Sequence, residues 1–220
     1  MRETATRPVE SARCLIVNAD DLGMSDGVNA GIVEAHERGI VTSASLMVRR
    51  PAAPAAAKIS HRLPSLSVGL HLEITTSAVE SECREQVAAF RRLLGRDPTH
   101  VDSHHHAHMS EPVASRARGI AIELGVPLRA ERIRYEGGFY GQTERGEPRS
   151  DRITVEHLLG LIDGLPEGWT ELGCHPGLGV EAESSYGPER EREVRTLCDP
   201  RVRAAIEGGG VALRSFVDVR

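Results

Sequence analysis

No apolar run in this 220-residue chain approaches the ~20 residues that cross a bilayer, so no transmembrane helix is expected. The opening MRETATRPVE carries charge but no apolar stretch, so no secretory leader is expected either. Lysine is nearly missing. Of 27 basic side chains only Lys58 is a lysine, a bias of the kind a GC-rich gene produces. A net basic balance is missing too: 32 acidic side chains leave a formal charge of −5. That argues against a nucleic-acid partner. The arginines alternate with acids, most clearly in Glu189-Arg190-Glu191-Arg192-Glu193, which reads as a solvated helix face. The cysteines Cys14, Cys83, Cys174 and Cys198 form no C-x-x-C pair, so they read as buried thiols in a reducing, cytoplasmic setting. G-x-S-x-G, G-x-G-x-x-G, H-E-x-x-H and a phosphate-binding loop are all missing.

What is present is an alternation of short apolar runs with helical patterns. Leu15–Val17, Val41–Val48, Leu66–Ile74, His100–Ser103, the vicinity of Leu128, Trp169–Cys174 and Val211–Phe216 read as strands. Helices are expected from Ser25 or Asp26 to Arg38, over Pro51–Ser60, along Val79–Leu94, from Pro112 to Leu124, from Thr154 to Asp163, and over Pro188–Leu197 and Pro200–Glu207. The pattern predicts an α/β fold with about seven mostly parallel strands. A regular eight-stranded barrel needs ~250 residues, so a distorted or incomplete (β/α) barrel is the expected form. Residues 1–12 read as a flexible tail and 13–220 as a single domain.

In such a fold the chemistry gathers at the C-terminal ends of the strands. Asp20 and Asp21 follow the first strand, His71 lies near the end of the third, His104 follows the fourth, and Arg129 and His175 follow later ones. Of two adjacent carboxylates, one can ligate a metal while the other acts as a base; the competing reading is helix capping. Ten histidines are present, and four fall in His104-His105-His106-Ala107-His108. Imidazoles with a carboxylate suit zinc and similar ions. In an extended segment His104, His106 and His108 would share a face, with one or two of them ligating or lining the pocket. His71 is either a ligand or a hydrogen-bonded core histidine. Glu73, two residues on, shares its face as a supporting partner or faces solvent. His175, on a Pro/Gly turn, is a candidate general acid or a solvated turn residue.

Four segments carry a resemblance. LIVNADDLGMSDGVNAGIVEAHERGIVTSASLMV, VGLHLEIT, PTHVDSHHHAHM and ELGCHPG, in this order, resemble the YdjC-like carbohydrate deacetylase family, which includes chitooligosaccharide deacetylases and a hopanoid-biosynthesis branch. The resemblance implies a distorted (β/α) barrel and one divalent ion, zinc or magnesium, held by Asp21, His71 and His104. It implies Asp20 as base, His175 as acid and Arg129 as the residue that orients Asp20. His106, His108 and Glu73 are expected to contact the substrate. The implied reaction is hydrolysis of an N-acetyl or N-acyl group on an amino sugar or glycosylated small molecule, with acetate released. The alternatives are a catalytically silent glycan-binding member of the fold or a metal hydrolase acting on an ester. A homodimer is compatible with the sequence. Only 33 positions separate His71 from His104, whereas typical members carry a longer, substrate-covering segment there. A more open pocket, suited to a larger or different amide, is therefore expected.

Overall fold

The computed structural model describes residues 12–143, 145–179 and 185–219. The expected tail therefore lies outside the described residues except for Ala12, whose carbonyl accepts a hydrogen bond from Gly168 N at 3.0 Å.

Seven parallel strands form one curled sheet: β1 (Arg13–Leu22), β2 (Ser43–Leu46), β3 (Ser67–Leu72), β4 (Val101–Ser103), β5 (Arg134–Glu136), β6 (Gly168–Cys174) and β7 (Val211–Arg214). The main path runs β4-β3-β2-β1-β6-β5, and β7 pairs with β1 off that path. β1 is the hub. Its Arg13–Ala19 stretch lies beside β6, its first four residues also pair with β7, and Asn18–Leu22 pairs with β2. The pairing Arg13↔Val211 through Ile16↔Arg214 and Asn18↔Ser43 onward places β7 and β2 end to end along one edge of β1. At the far side Val101 of β4 makes one parallel bridge to Leu128, and no strand of the described residues closes the gap from there to β5. The result is the expected incomplete barrel.

The helices α1 (Asp26–Glu37), α2 (Ala53–Arg62), α3 (Val79–Leu94), α4 (Val113–Leu124), α5 (Val155–Asp163), α6 (Pro188–Leu197) and α7 (Pro200–Gly208) cover the sheet. Their limits follow local chemistry. Ser25 Oγ accepts from Val28 N and caps α1, Thr154 caps α5, and Gly95 and Gly125 end α3 and α4 in the left-handed conformation that glycine adopts at least cost. β1 and β3 are buried along almost their whole length, as expected of strands covered on both faces.

The structure corrects four sequence expectations. β1 runs on through Leu22, so Asp20 and Asp21 lie inside the strand rather than after it. The strand expected near Leu128 is a single bridge, and β5, which had no apolar run to announce it, supplies the neighbour of β6 instead. His104–Met109 is a 3₁₀ turn rather than an extended segment, with His105 and His106 at φ 53° and 52°. α6 is not a solvated face: Glu189, Arg190 and Glu193 are buried.

Candidate active site

Residues of β1, β3, β4, β5 and β6 on one rim contribute to a cavity of about 910 Å³. Asp20 and Asp21 reach it because β1 bulges. The register with β2 shifts between Ala19 and Leu22, and Asp21 takes a φ of 68°. A regular strand sends consecutive side chains to opposite faces; a bulge with a left-handed residue re-aims one of them. Both carboxylates thus line the cavity, together with His71 at the end of β3 and Ser103 at the end of β4.

The two acids have different partners. Asp20 is clamped by Arg129, whose Nη1 donates to Oδ2 at 2.7 Å and whose Nη2 donates to Oδ1 at 2.6 Å. Asn18 Nδ2 also donates to Oδ1, at 2.9 Å. Arg129 is fully enclosed and further paired with Asp102 at 2.8 Å and Glu171 at 2.7 Å. Burial works against ionisation of Asp20, but the Arg129 charge and hydrogen bonds outweigh it and lower the pKa. Glu171 fares differently: burial prevails over Arg129 and raises it to about 7.

Asp21 Oδ2 accepts from Arg190 Nη2 at 2.7 Å. Its Oδ1 is buried without a hydrogen bond of acceptable geometry, yet lies 3.3 Å from His104 Nδ1 and 3.6 Å from His71 Nε2. His71 is oriented from behind, Nδ1 lying 2.8 Å from Asp102 Oδ1, so that Nε2 faces Asp21. Asp102 Oδ2 in turn accepts from Ser45 Oγ at 2.6 Å. A carboxylate behind a histidine is the usual support of a metal-binding imidazole.

Among the described residues, two sets of acid and histidine atoms lie within 4.8 Å of one another: Asp21, His71 and His104, and Asp20, His71 and Asp102. In the second set the carboxylates are already engaged by Arg129, Asn18 and Ser45. Only the first presents an unpartnered buried oxygen, so the first fits a divalent ion. The local charge agrees. Burial alone would lower the pKa of His71, but Asp102, Asp20 and Asp21 raise it to about 9. Without a cation the acids draw a proton onto His71, and a bound cation satisfies the same demand and displaces that proton. Asp21 is likewise held well below the ordinary range; burial opposes this, but His104 and Arg190 prevail.

His175 Nε2 lies 3.8 Å from Asp20 Oδ2. Burial lowers its pKa to about 4 despite both aspartates, so the resting ring is neutral. Its backbone N–H donates to Glu193 at 2.5 Å. Burial pushes Glu193 up to about 8. His105 and His106 line the cavity beside His104 because their left-handed turn folds the run back over the rim.

His108 and Glu73, expected at the substrate, lie behind the wall. His108 Nδ1 meets Ser103 Oγ at 2.7 Å, while Glu73 pairs with Arg50 at 2.7 Å and has its backbone N–H bonded to Gln86. Sequence reasoning missed Asp102, Glu171, Arg190, Glu193 and the tyrosines. All three tyrosines of the chain, Tyr135, Tyr140 and Tyr186, line this one cavity. Tyr140 and Tyr186 stack at 4.6 Å with 1° between their planes, and each meets the His175 ring edge-on. Their scarcity elsewhere was the available signal.

A curled parallel sheet that gathers two aspartates, paired histidines and a clamped arginine at one rim defines a class, the hydrolases built on a distorted (β/α) barrel. Within that class the chain belongs to the YdjC-like protein family, whose model matches residues 14–78 and 73–208. It is 30% identical to a chitooligosaccharide deacetylase of Serratia marcescens, over 94% of this chain and 99% of that one. It is 32% identical to a carbohydrate deacetylase of Geobacillus stearothermophilus, over 93% and 97%. Among solved structures, a candidate cellobiose-phosphate cleavage protein of Enterococcus faecalis superposes with a TM-score of 0.82 at 25% identity, covering 95% of this chain and 99% of that one. A family 4 carbohydrate esterase of Streptomyces lividans, in complex with acetate, shares the fold at a TM-score of 0.60 and 12% identity over 91% of both chains.

The departure in length is visible in these matches. The two family segments meet at 73–78, directly after His71. The Serratia alignment runs over 257 positions against the 220 residues here, so at least 37 positions of that relative have no counterpart. In the structure α3 alone fills most of the path from β3 to β4, with Gly95 as its stop.

Proposed function

We propose that this protein hydrolyses the N-acetyl or N-acyl amide of an amino sugar, using one divalent ion, zinc or magnesium, held by Asp21, His71 and His104. The observation that carries the reading is the unpartnered Asp21 Oδ1 facing two imidazole nitrogens, beside a separately clamped Asp20 that lines the same cavity. The chemistry such an ion supplies is Lewis acidity toward an acyl carbonyl and acidification of water.

This chain's residues supply the rest. Arg129 engages both oxygens of Asp20 and fixes its direction, so Asp20 takes the proton from the attacking water. A C–O bond forms as the carbonyl carbon becomes tetrahedral. His175, neutral at rest and 3.8 Å from Asp20, accepts that proton and passes it to the departing nitrogen. The C–N bond then breaks to give the carboxylate and a free amine. An amine leaves only when protonated, so a dedicated proton donor favours an amide over an ester as the substrate. Tyr135, Tyr140 and Tyr186 offer ring faces and edges to a sugar. Only 33 positions lead from His71 to His104, and on the expectation that this leaves the pocket more open the reading extends to larger or decorated N-acyl glycans.

The test is acetate release from a panel of N-acetylated sugars by metal-loaded and chelator-stripped protein. Loss of release on stripping, and its return with zinc or magnesium, is the expected result. Release that survives complete stripping would overturn the metal assignment. A preference for di-N-acetylchitobiose over every larger or decorated amide would overturn the open-pocket reading alone.

A further inference from the structure

Asp21 holds a costly posture. A φ of 68° is uncommon for a residue with a side chain, even though aspartate tolerates it better than most. Of its two oxygens, one faces the histidines without a hydrogen bond and the other is taken by Arg190. A carboxylate free to turn about its last torsion would exchange the two.

We propose that Arg190 is a positioning residue: it fixes which oxygen of Asp21 is offered to the cation and locks that oxygen to the peptide presenting His175. The inference rests on Asp21 being a ligand. Arg190 Nη2 donates to Asp21 Oδ2 at 2.7 Å and its Nη1 donates to the His175 carbonyl at 3.3 Å. One planar guanidinium thus spans the end of β1 and the turn after β6, the two elements that carry the proposed ligand and the proposed acid. Its stem is enclosed. Arg190 is 3% exposed, its guanidinium lies 5.6 Å from the Tyr186 ring centre, and Met24 Sδ sits 3.6 Å from Nη2. The path to Asp21 exists because residue 177 is glycine: a Cβ there would stand 2.9 Å from Arg190 Cδ. With Oδ2 occupied, Asp21 offers a single oxygen beside two nitrogens. That set suits a small four-coordinate ion better than the two-oxygen grip calcium favours.

The experiment compares zinc titration of metal-free wild type, Arg190→Met and Arg190→Lys by calorimetry, with kcat, KM and metal-free unfolding midpoints alongside. Methionine keeps much of the stem and drops both donors. Lysine reaches one acceptor, and the nearer carboxylate is the one it keeps. Arg190→Met is expected to weaken zinc binding ~10-fold or more. Arg190→Lys is expected to keep zinc affinity within ~3-fold, yet lose ~10-fold in kcat at unchanged KM, because the His175 carbonyl loses its donor. Unchanged or tighter zinc binding by Arg190→Met overturns the proposal, as does an Arg190→Lys variant that loses as much affinity as the methionine variant. Should Arg190→Met fail to fold, the lysine variant decides through its split between affinity and kcat. A wild type that takes up no zinc or magnesium would instead remove the metal reading itself.

Discussion

Asp20 and Asp21 are adjacent in sequence but do different work because their surroundings differ. Asp20 meets a guanidinium that covers both its oxygens; Asp21 meets one that covers a single oxygen. Replacing Asp20 by asparagine keeps the shape and removes the base. Acetate release should fall ~10²–10⁴-fold while zinc binding stays near wild type, measured by calorimetry beside the assay. Equal losses of metal and activity would contradict this division of roles between the two aspartates. The residues themselves were legible as chemistry: acids and histidines at strand ends are rare enough to single out. Their geometry was not. Nothing in Asn-Ala-Asp-Asp announces a bulge, which depends on the register of β2 alongside.

At the scale of elements, α3 shows how a short connection is secured. Its N-cap, Ala78, has no side-chain acceptor, and Glu82 in the first turn compensates by binding back to the preceding loop. Its carboxylate accepts from the backbone N–H and hydroxyl of Thr76, both at 2.6 Å, from Thr75, and from Arg49 at 2.6 Å. Burial would raise the pKa of Glu82, but these bonds hold it at about 2. A depressed acid stabilises the fold fully above its unfolded value of about 4.3, and that stability is lost as pH falls toward 2. Glu82→Gln should therefore cost about 1.5–3 kcal/mol at pH 7 and progressively less at pH 4 and pH 3, followed by urea unfolding. A gap constant with pH would contradict the assignment.

Helix glycines make a second contrast. Gly119 of α4 has open space where a Cβ would sit, so Gly119→Ala should stabilise by about 0.5–1 kcal/mol. Gly31 of α1 has the Gly177 backbone at 2.4 Å, so Gly31→Ala should destabilise by about 1–3 kcal/mol despite the better helix propensity. Thermal unfolding of the two variants checks both signs. Helix limits were largely readable from caps and stops, as at Ser25, Thr154, Gly95 and Gly125. α6 was not. Its alternating charges suggested solvent, yet Arg190, Glu193, Val194 and Leu197 stand at i, i+3, i+4 and i+7 and turn inward together. Charges falling on an apolar stripe were the mark of a buried polar network. Composition alone averages that mark away.

At the scale of the whole molecule, alternation of strands and helices was enough to predict an open parallel barrel, because each apolar run had to be covered on both sides. What it could not supply was β5, whose residues Arg134–Glu136 are held by pairing with β6 rather than by any preference of their own. The same architecture sets a ranking of local stability. β1 is flanked by β2, β6 and β7, so the amides of Leu15–Val17 should exchange with solvent only on global unfolding, whereas those of the 137–143 stretch should exchange orders of magnitude faster. Native-state hydrogen exchange would reveal the ordering, and comparable rates in the two regions would refute it.

That hub has a consequence in time. Asp20, Asp21, His71 and His104 are all made before the first residue of β6 leaves the ribosome, yet Asn18 pairs with Gly173 and Arg13 with Val211. At roughly 5–20 residues per second, the strand bearing both acids has β2 beside it early but waits on the order of ten seconds for β6 and longer for β7. A nascent chain halted short of β6 therefore carries every proposed ligand and the β2 register that bulges β1, but neither the β6 edge beside Arg13–Ala19 nor Arg190, which engages Asp21. The chemistry is written first and set in place last.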